Sequence, residues 1–193
     1  SGHTLLHLSV TDRRRLGGSA LAQVLGQVGD EAPDIEDAAA LKALFQAVQE
    51  LVRGGAIVAC HDVSDGGLLV TLLEMAFAGE KGWEVALGAG AGAGDGVAGD
   101  HSSDGAVGLY EALFAEEAGV VVEVADGTVA AEILERYGVR CTELGTVAGD
   151  DIKLSFNGTV VLKESVRTLH TTWEETSYQL ERLQQNPDCA EEE

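Results

Sequence analysis

The sequence predicts an α/β (or α+β) fold in which a mixed β-sheet is flanked by helices. Strand and helix patterns alternate through the middle of the chain, and a hairpin follows them, since Asn157-Gly158 lies between two alternating runs. Hydrophobic residues make up 45% of the chain, enough to bury a substantial core. No GxGxxG follows a first strand and no GxxxxGK[ST] occurs, which disfavours a dinucleotide-binding fold and a P-loop.

The first half of the chain is predicted to contain two strands and three helices. They are a strand over 4–10, a short helix capped by Ser19 and running to about 27, a helix over 38–53, a buried strand over 56–59 and a helix after Gly67. Asp34 or Asp37 can cap the second helix. Its predicted buried stripe has helical spacing and consists of Leu41, Leu44, Phe45, Val48, Leu51 and Val52. Gly17-Gly18-Ser19 is interpreted as a tight turn with a helix cap, the alternative being a loop placed close to a ligand or another domain.

The second half is predicted to complete the sheet and to end in a long helix. Its elements are a strand over 83–87, a helix over 108–118, a strand over 120–124, a helix over 128–137, a strand over 142–147, a hairpin over 151–162 and a helix over 165–185. We therefore expect one domain over 1–164 and a helical linker over 165–193.

Composition excludes several classes of partner. The formal net charge of −21 rules out a basic footprint for nucleic acid and disfavours an anionic membrane surface. No run reaches the roughly 18 apolar residues of a membrane span.

The three cysteines, Cys60, Cys141 and Cys189, are odd in number and widely spaced, which favours a reducing compartment. We therefore expect a cytoplasmic location. Cys60 is predicted to be a small buried hydrophobe.

Residues 88–106 form a Gly-Ala-rich segment that is predicted to be a flexible surface insertion. Its acidic residues, Asp95, Asp100 and Asp104, raise the alternative of a calcium site. The regular spacing of calcium-binding repeats and the EF-hand pattern are both missing, which disfavours that alternative.

The stretch over 57–79 carries the main functional signal. A short apolar run is followed by polar residues, among them Asp62 and Ser64, then by Gly66-Gly67 and a helical pattern. Such a turn leaves oxygen ligands at the end of a strand, and its glycines let backbone N–H groups approach an anion at the start of a helix. The pattern is typical of a phosphate or metal site.

Four segments together resemble the phosphoribosylformylglycinamidine synthase family of the aminoimidazole-ribonucleotide-synthetase superfamily. The first is His61-Asp-Val-Ser-Asp-Gly-Gly-Leu68 with Glu74-Met-Ala-Phe-Ala-Gly79. The second is 16–23 with 29–34, which is similar to the opening of a family domain. The third is 113–119, which is similar to the segment before a core strand. The fourth is 173–187, which is similar to the connection into the glutaminase domain of the large, single-chain form.

The resemblance implies a ligase of de novo purine synthesis, which converts ATP, glutamine and formylglycinamide ribonucleotide to the amidine, ADP, phosphate and glutamate. This chain resembles the C-terminal domain of the second superfamily-like half. That half holds Mg²⁺ and a nucleotide (ATP or ADP) in an auxiliary site, while the first half carries the chemistry. The implied partners are the nucleotide-binding domains and the glutaminase domain of the parent chain. The chain alone is expected to be inactive.

The resemblance also implies roles for individual residues. Asp62 matches the carboxylate that binds magnesium, and Ser64 matches the hydroxyl position at the bound phosphates. Gly66, with Gly67, shapes the turn, and Asp65 is expected to cap the following helix. No catalytic residue is expected. His61 is expected to be a packed, hydrogen-bonded turn residue.

Two alternatives stay open. One is another superfamily enzyme, such as selenophosphate synthetase or thiamine-phosphate kinase, which the segment over 173–187 disfavours. The other is an acidic module that docks neighbouring domains and has no site of its own. Magnesium–nucleotide binding by the intact parent distinguishes an enzyme domain from such a module.

Overall fold

The computed structural model of the chain describes residues 2–88 and 105–184. These contain seven strands and six helices. In order they are β1 (Thr4–Ser9), α1 (Ala20–Val24), α2 (Ala38–Arg53), β2 (Ile57–Asp62), α3 (Gly67–Gly79), β3 (Trp83–Leu87), α4 (Ala106–Phe114), β4 (Gly119–Val124), α5 (Gly127–Tyr137), β5 (Arg140–Val147), β6 (Asp151–Phe156), β7 (Thr159–Ser165) and α6 (Val166–Gln184). The predicted insertion lies almost wholly outside the described residues.

All seven strands belong to one sheet, in the order β2-β4-β1-β5-β3-β6-β7. β3 and β6 pair in parallel, and the other neighbouring strands pair antiparallel. The predicted mixed sheet is confirmed. So is the closing hairpin, because Asn157 and Gly158 join β6 to β7 with φ values of 47° and 79°, as a type I′ turn requires.

Helices cover both faces of the sheet. On one face, α3, α4 and α6 pack on alternate residues of the strands, including Leu5, Val85 and Val121. On the other, α2 and α5 pack on the intervening residues, including Leu6, Leu8 and Val122. This alternation follows from the two-residue period of a strand, since successive side chains point to opposite faces.

The prediction of a buried strand over 56–59 is wrong, because β2 is an edge strand. Its residues alternate between half-buried and exposed, and both Val58 and Cys60 are exposed. The predicted burial of Cys60 is therefore also wrong. Cys60 pairs with Val122 and shares its face of the sheet, but at the edge no further strand lies beside it. A continuous β-branched run does not distinguish an edge strand from a central one.

The buried stripe of α2 is narrower than predicted. Leu44, Ala47 and Leu51 are buried, whereas Leu41, Phe45 and Val52 are 38%, 64% and 50% exposed. The apolar surface of α2 is wider than the area that the sheet and α5 cover together. The bounds of α2 agree with the prediction, and Asp37 caps it by accepting hydrogen bonds from the amides of Ala39 and Ala40.

Among the described residues, no helix is both long enough and apolar enough to cross a membrane.

Candidate functional site

The predicted site residues lie where β2 ends and α3 begins. Asp62 is the last residue of β2, opposite Val120 at the start of β4. Ser64 and Asp65 are exposed, while Gly66 is buried. The backbone is fixed just before Ser64, because the amide of Val63 donates to the carbonyl of Gly119 at 2.9 Å. The structure therefore brings the three nucleotide-binding candidates together on one short, anchored loop.

His61 and Asp62, the last two residues of β2, differ in exposure. His61 pairs with Val121 and turns towards α3, where its Nε2 lies 3.3 Å from Oε2 of Glu74. Its Nδ1 lies 2.7 Å from the carbonyl oxygen of Asp62 and donates to it. His61 is hydrogen-bonded as expected, but it is a residue of β2 and not of the turn. The side chain of Asp62 is 77% exposed, and its Oδ1 lies 3.7 Å from Nδ1 of His61.

The start of α3 corrects one expectation. Its N-cap is Gly66, in the left-handed region with φ 86°, and no side chain caps the helix, so Asp65 does not have the predicted role. Gly67 also has a positive φ of 67°, and a Cβ there would lie 2.8 Å from the carbonyl oxygen of Leu113. Because α4 packs this closely on the turn, the turn requires glycine.

Glu116 occupies the position at the start of α3 where an external anion was predicted. Its Oε1 accepts a hydrogen bond of 2.8 Å from the amide of Gly66 and another of 2.8 Å from the amide of Ala20, at the start of α1. The sequence predicted residues 108–118 to be helical, but α4 ends at Phe114. Glu116 therefore lies in a loop and bonds to two other loops, which local helical periodicity does not reveal.

Glu117 forms a buried ion pair with Arg15. Nε and Nη2 of Arg15 donate to Oε1 and Oε2 of Glu117, each at 2.7 Å, and the amide of Arg15 also donates to Oε1 at 3.0 Å. Burial raises the pKa of Glu117, but the hydrogen bonds and charge of Arg15 outweigh it, and the pKa lies below its usual value. The sequence offers one signal for both glutamates: two adjacent acidic residues directly before an apolar strand.

The loop over 16–19 is a tight turn with a helix cap, as predicted. The amides of Gly17 and Gly18 donate to the carbonyls of Glu31 and Val28, each at 2.7 Å. The hydroxyl of Ser19 donates to the carbonyl of Leu16 and accepts from the amide of Ala22. These polar groups are satisfied within the chain.

A magnesium site would use only part of its ligands from this chain. Within residues 2–88 and 105–184, no three His, Cys, Asp or Glu side chains are grouped to hold a metal. Mg²⁺ binds one or two carboxylates and completes its octahedron with water and phosphate oxygens. The exposed carboxylate of Asp62 fits as one such ligand, with the hydroxyl of Ser64 nearby in sequence. A nucleotide, water or protein groups beyond the described residues would supply the remaining ligands.

The other histidines and cysteines have structural environments. Nδ1 of His3 lies 2.5 Å from Oε1 of Glu123, and His170 stacks on Phe77 with ring centroids 4.8 Å apart. Partial desolvation and the charge of Glu143 raise the pKa of the exposed Cys141 thiol to about 11, so the reactive thiolate is scarce at neutral pH. His101, Cys189 and the calcium candidates over 95–104 lie outside the described residues.

Comparison with known proteins gives one family and two similar full enzymes. The family described as "AIR synthase related protein, C-terminal domain" matches residues 1–156. A probable phosphoribosylformylglycinamidine synthase of Arabidopsis thaliana, named as chloroplastic/mitochondrial, is 42% identical over 191 residues, which cover 97% of this chain and 12% of that protein. Human phosphoribosylformylglycinamidine synthase is 41% identical over 199 residues, covering 100% of this chain and 14% of that protein.

Solved structures agree on the fold. PurL of Thermotoga maritima complexed with FGAR superposes with a TM-score of 0.67 at 20% identity, over 87% of this chain and 28% of that chain. The same protein complexed with ATP gives 0.61 at 20% identity, over 87% and 25%. The chain spans only about an eighth of the length of the curated relatives, with 12% and 14% of each covered.

Proposed function

The chain belongs to the family of AIR synthase related proteins, C-terminal domain, and on that basis we propose that it is one domain of a phosphoribosylformylglycinamidine synthase. The observation that carries the proposal is identity of 41–42% to two such enzymes along nearly the whole chain. The proposed reaction of the parent is the ATP- and glutamine-dependent conversion of formylglycinamide ribonucleotide to its amidine in purine biosynthesis. The parent is thus a ligase.

Within that parent, the proposed role of this domain is to help form an auxiliary Mg–nucleotide site. Asp62 binds the magnesium ion, the hydroxyl of Ser64 donates to a phosphate oxygen, and Gly66 keeps the turn close to the nucleotide. The exposed position of Asp62 at the end of a strand supports this role, since among the described residues its carboxylate has one ion-pair contact, with Nδ1 of His61 at 3.7 Å. The metal would neutralise the carboxylate and tie it to the phosphates.

The proposed partners are the other domains of the parent. Residues 1–164 form the family domain and residues 165–193 lead to a glutaminase domain. α6 supports this division in part, because its first residue, Val166, is buried in the core whereas Leu183 near its end is 84% exposed. A cytoplasmic location stays a prediction, and one relative carries a plastid and mitochondrial name.

A second candidate, a docking module without a ligand, is favoured by the uncovered apolar flank of α2. Leu41, Phe45 and Val52 give that helix an exposed apolar stripe, which is typical of a surface covered in a larger assembly. The two functions differ in one measurement. A docking module leaves the magnesium and nucleotide content of the parent unchanged when Asp62 is replaced.

The experiment that tests the enzymatic proposal compares this chain with the longer protein that contains it. The longer protein is expected to form the amidine from ATP, glutamine and formylglycinamide ribonucleotide, whereas the isolated chain is expected to form none above a buffer control. Turnover by the isolated chain, or none by the longer protein, contradicts the proposal.

A further inference from the structure

We propose that Glu116 is a positioning residue that holds the loop over 62–67 and the loop over 16–20 as one unit. The same oxygen of Glu116 accepts the amides of Gly66 and Ala20, each at 2.8 Å. These amides are 50 and 96 residues away from Glu116 in sequence. A single carboxylate therefore joins two loops that no secondary-structure element connects directly.

Both amides need an acceptor, which explains why a carboxylate is suited to the position. The first amides of a helix have no partner within the helix, and Ala20 begins α1 while Gly66 caps α3. Gly66 is buried, and Glu116 supplies the acceptor for its amide, as the glutamate of a capping box does from within a helix. Its negative charge also lies at the positive end of the α3 dipole.

The second loop is held at both ends, by two adjacent glutamates. Arg15 precedes the turn over 16–19 and is bound by Glu117, while Ala20 follows the turn and is bound by Glu116. The adjacent glutamates thus fix both sides of the glycine turn. Because Glu116 also holds Gly66, movement of the glycine turn and movement of the loop at Asp62 are coupled.

The consequence for the site rests on the function proposed above. Ser64 lies between the anchor of Val63 on Gly119 and the anchor of Gly66 on Glu116, and Asp62, at the end of β2, directly precedes the first anchor. Glu116 touches neither proposed ligand residue in the described contacts, but it fixes one end of the segment that carries Ser64. Loss of Glu116 is expected to widen the range of positions that the Ser64 hydroxyl samples.

Amide hydrogen exchange, measured by NMR on the 193-residue chain, tests the coupling directly. In Glu116→Ala, the amides of both Ala20 and Gly66 are expected to exchange roughly 10- to 100-fold faster, as the loss of a partly buried hydrogen bond predicts. Glu116→Gln keeps an acceptor oxygen and is expected to restore most of the protection. Glu164→Ala, which removes a carboxylate that accepts the amide of Ser165, is the control and should leave both amides unchanged.

The coupling is overturned if exchange accelerates at only one of the two amides or at neither. It is also overturned if the Gln variant exchanges as fast as the Ala variant at these amides. If Glu116→Ala does not fold, Glu116→Asp, whose carboxylate is one methylene shorter, replaces it with the same expectation at both amides.

A second readout separates this inference from the proposed function. In the longer protein, Glu116→Ala is expected to weaken Mg–ADP binding by about 10-fold or more, while Glu116→Gln and Glu164→Ala bind with nearly wild-type affinity. Unchanged binding in Glu116→Ala overturns the link to the site. If the wild-type protein itself binds no Mg–ADP, the proposed function fails, and amide exchange still decides the positioning role.

Discussion

Arg15 and Glu117 lie 102 residues apart in sequence and form a two-pronged ion pair with both donor–acceptor distances at 2.7 Å. Both residues are buried, with 9% and 7% of their surfaces exposed. The pair joins the loop after β1 to the segment before β4, directly beside Glu116. It is a buried electrostatic link at the end of the sheet that carries the candidate site.

Replacing Glu117 by glutamine should destabilise the chain, because it removes the two-pronged charge partner of the buried Arg15 guanidinium and leaves it with the half-exposed Glu36, whose Oε1 lies 3.2 Å from Nη1. We expect the Tm to fall by on the order of 10 °C. Thermal unfolding followed by circular dichroism measures the shift. Glu164→Gln, an exposed replacement of the same type, is the control and should change the Tm by about 1 °C or less. Equal Tm values for the two variants would mean that the buried pair contributes no stability.

The pair of Arg15 and Glu117 also predicts that the stability of the folded chain falls at acidic pH. The pKa of Glu117 in the folded chain lies below its ordinary value of 4.5, so its stabilising contribution is complete above that pH. It is lost as the pH falls below 4.5 towards the lower pKa of the folded state. Denaturant unfolding should therefore show a decline of wild-type stability below pH 4.5 that is smaller in Glu117→Gln. Parallel pH profiles contradict the prediction.

The environment of His7 predicts a second decline in the stability of the folded chain, at a higher pH. Burial, with a contribution from Arg14, lowers its pKa from 6.5 to about 4, and among the described residues its buried Nε2 has no hydrogen-bond partner. The unfolded chain takes up the proton first, so stability is lost as the pH falls from 6.5 to 4. The loss should total about 3 kcal/mol. His7→Leu should remove this decline, and a His7→Leu chain that keeps it would show that another group titrates.

The turn before α3 predicts a strict requirement for glycine. Gly67→Ala combines a positive φ of 67° with a Cβ placed 2.8 Å from backbone atoms of Leu113 and Phe114. We expect a loss of about 2 kcal/mol or more in the free energy of unfolding. Gly127→Ala is the matched control, since it also begins a helix but a Cβ there meets nothing within 4 Å. Similar free energies of unfolding for both variants would contradict the proposed packing of α4 on the turn.

Most of the fold follows from local patterns, because alternation, helical spacing and Asn157-Gly158 are short-range signals. The helix over Ala38–Arg53 and the strand over Trp83–Leu87 have the predicted bounds. The predictions that were wrong concern features that depend on long-range packing. The exposure of Cys60 depends on β2 lying at an edge, and the exposure of Phe45 depends on how much of α2 the sheet and α5 cover. Neither is a property of the local sequence.

The candidate site shows the same division. The position of Asp62 at a strand end and the turn at Gly66-Gly67 were predicted from polar residues followed by glycines. The role of Glu116 was not, because both of its hydrogen bonds cross at least 50 residues of sequence. The cap expected from Asp65 is not formed because Gly66, with a left-handed backbone, takes the N-cap position and Asp65 lies one residue before it.

The central claim is that Asp62 binds the magnesium of an auxiliary nucleotide, and the nucleotide content of the purified longer protein tests it most directly. The test variant is Asp62→Asn, and the control is Asp150→Asn, since the two aspartate side chains are 77% and 87% exposed. Asparagine keeps the shape but removes the charge, so the stability of the isolated chain should not change. We predict that the control retains stoichiometric nucleotide while Asp62→Asn loses most of it. A full complement of nucleotide in Asp62→Asn, with an isolated Asp62→Asn chain that unfolds at a lower temperature, would contradict the metal role and make Asp62 a structural residue.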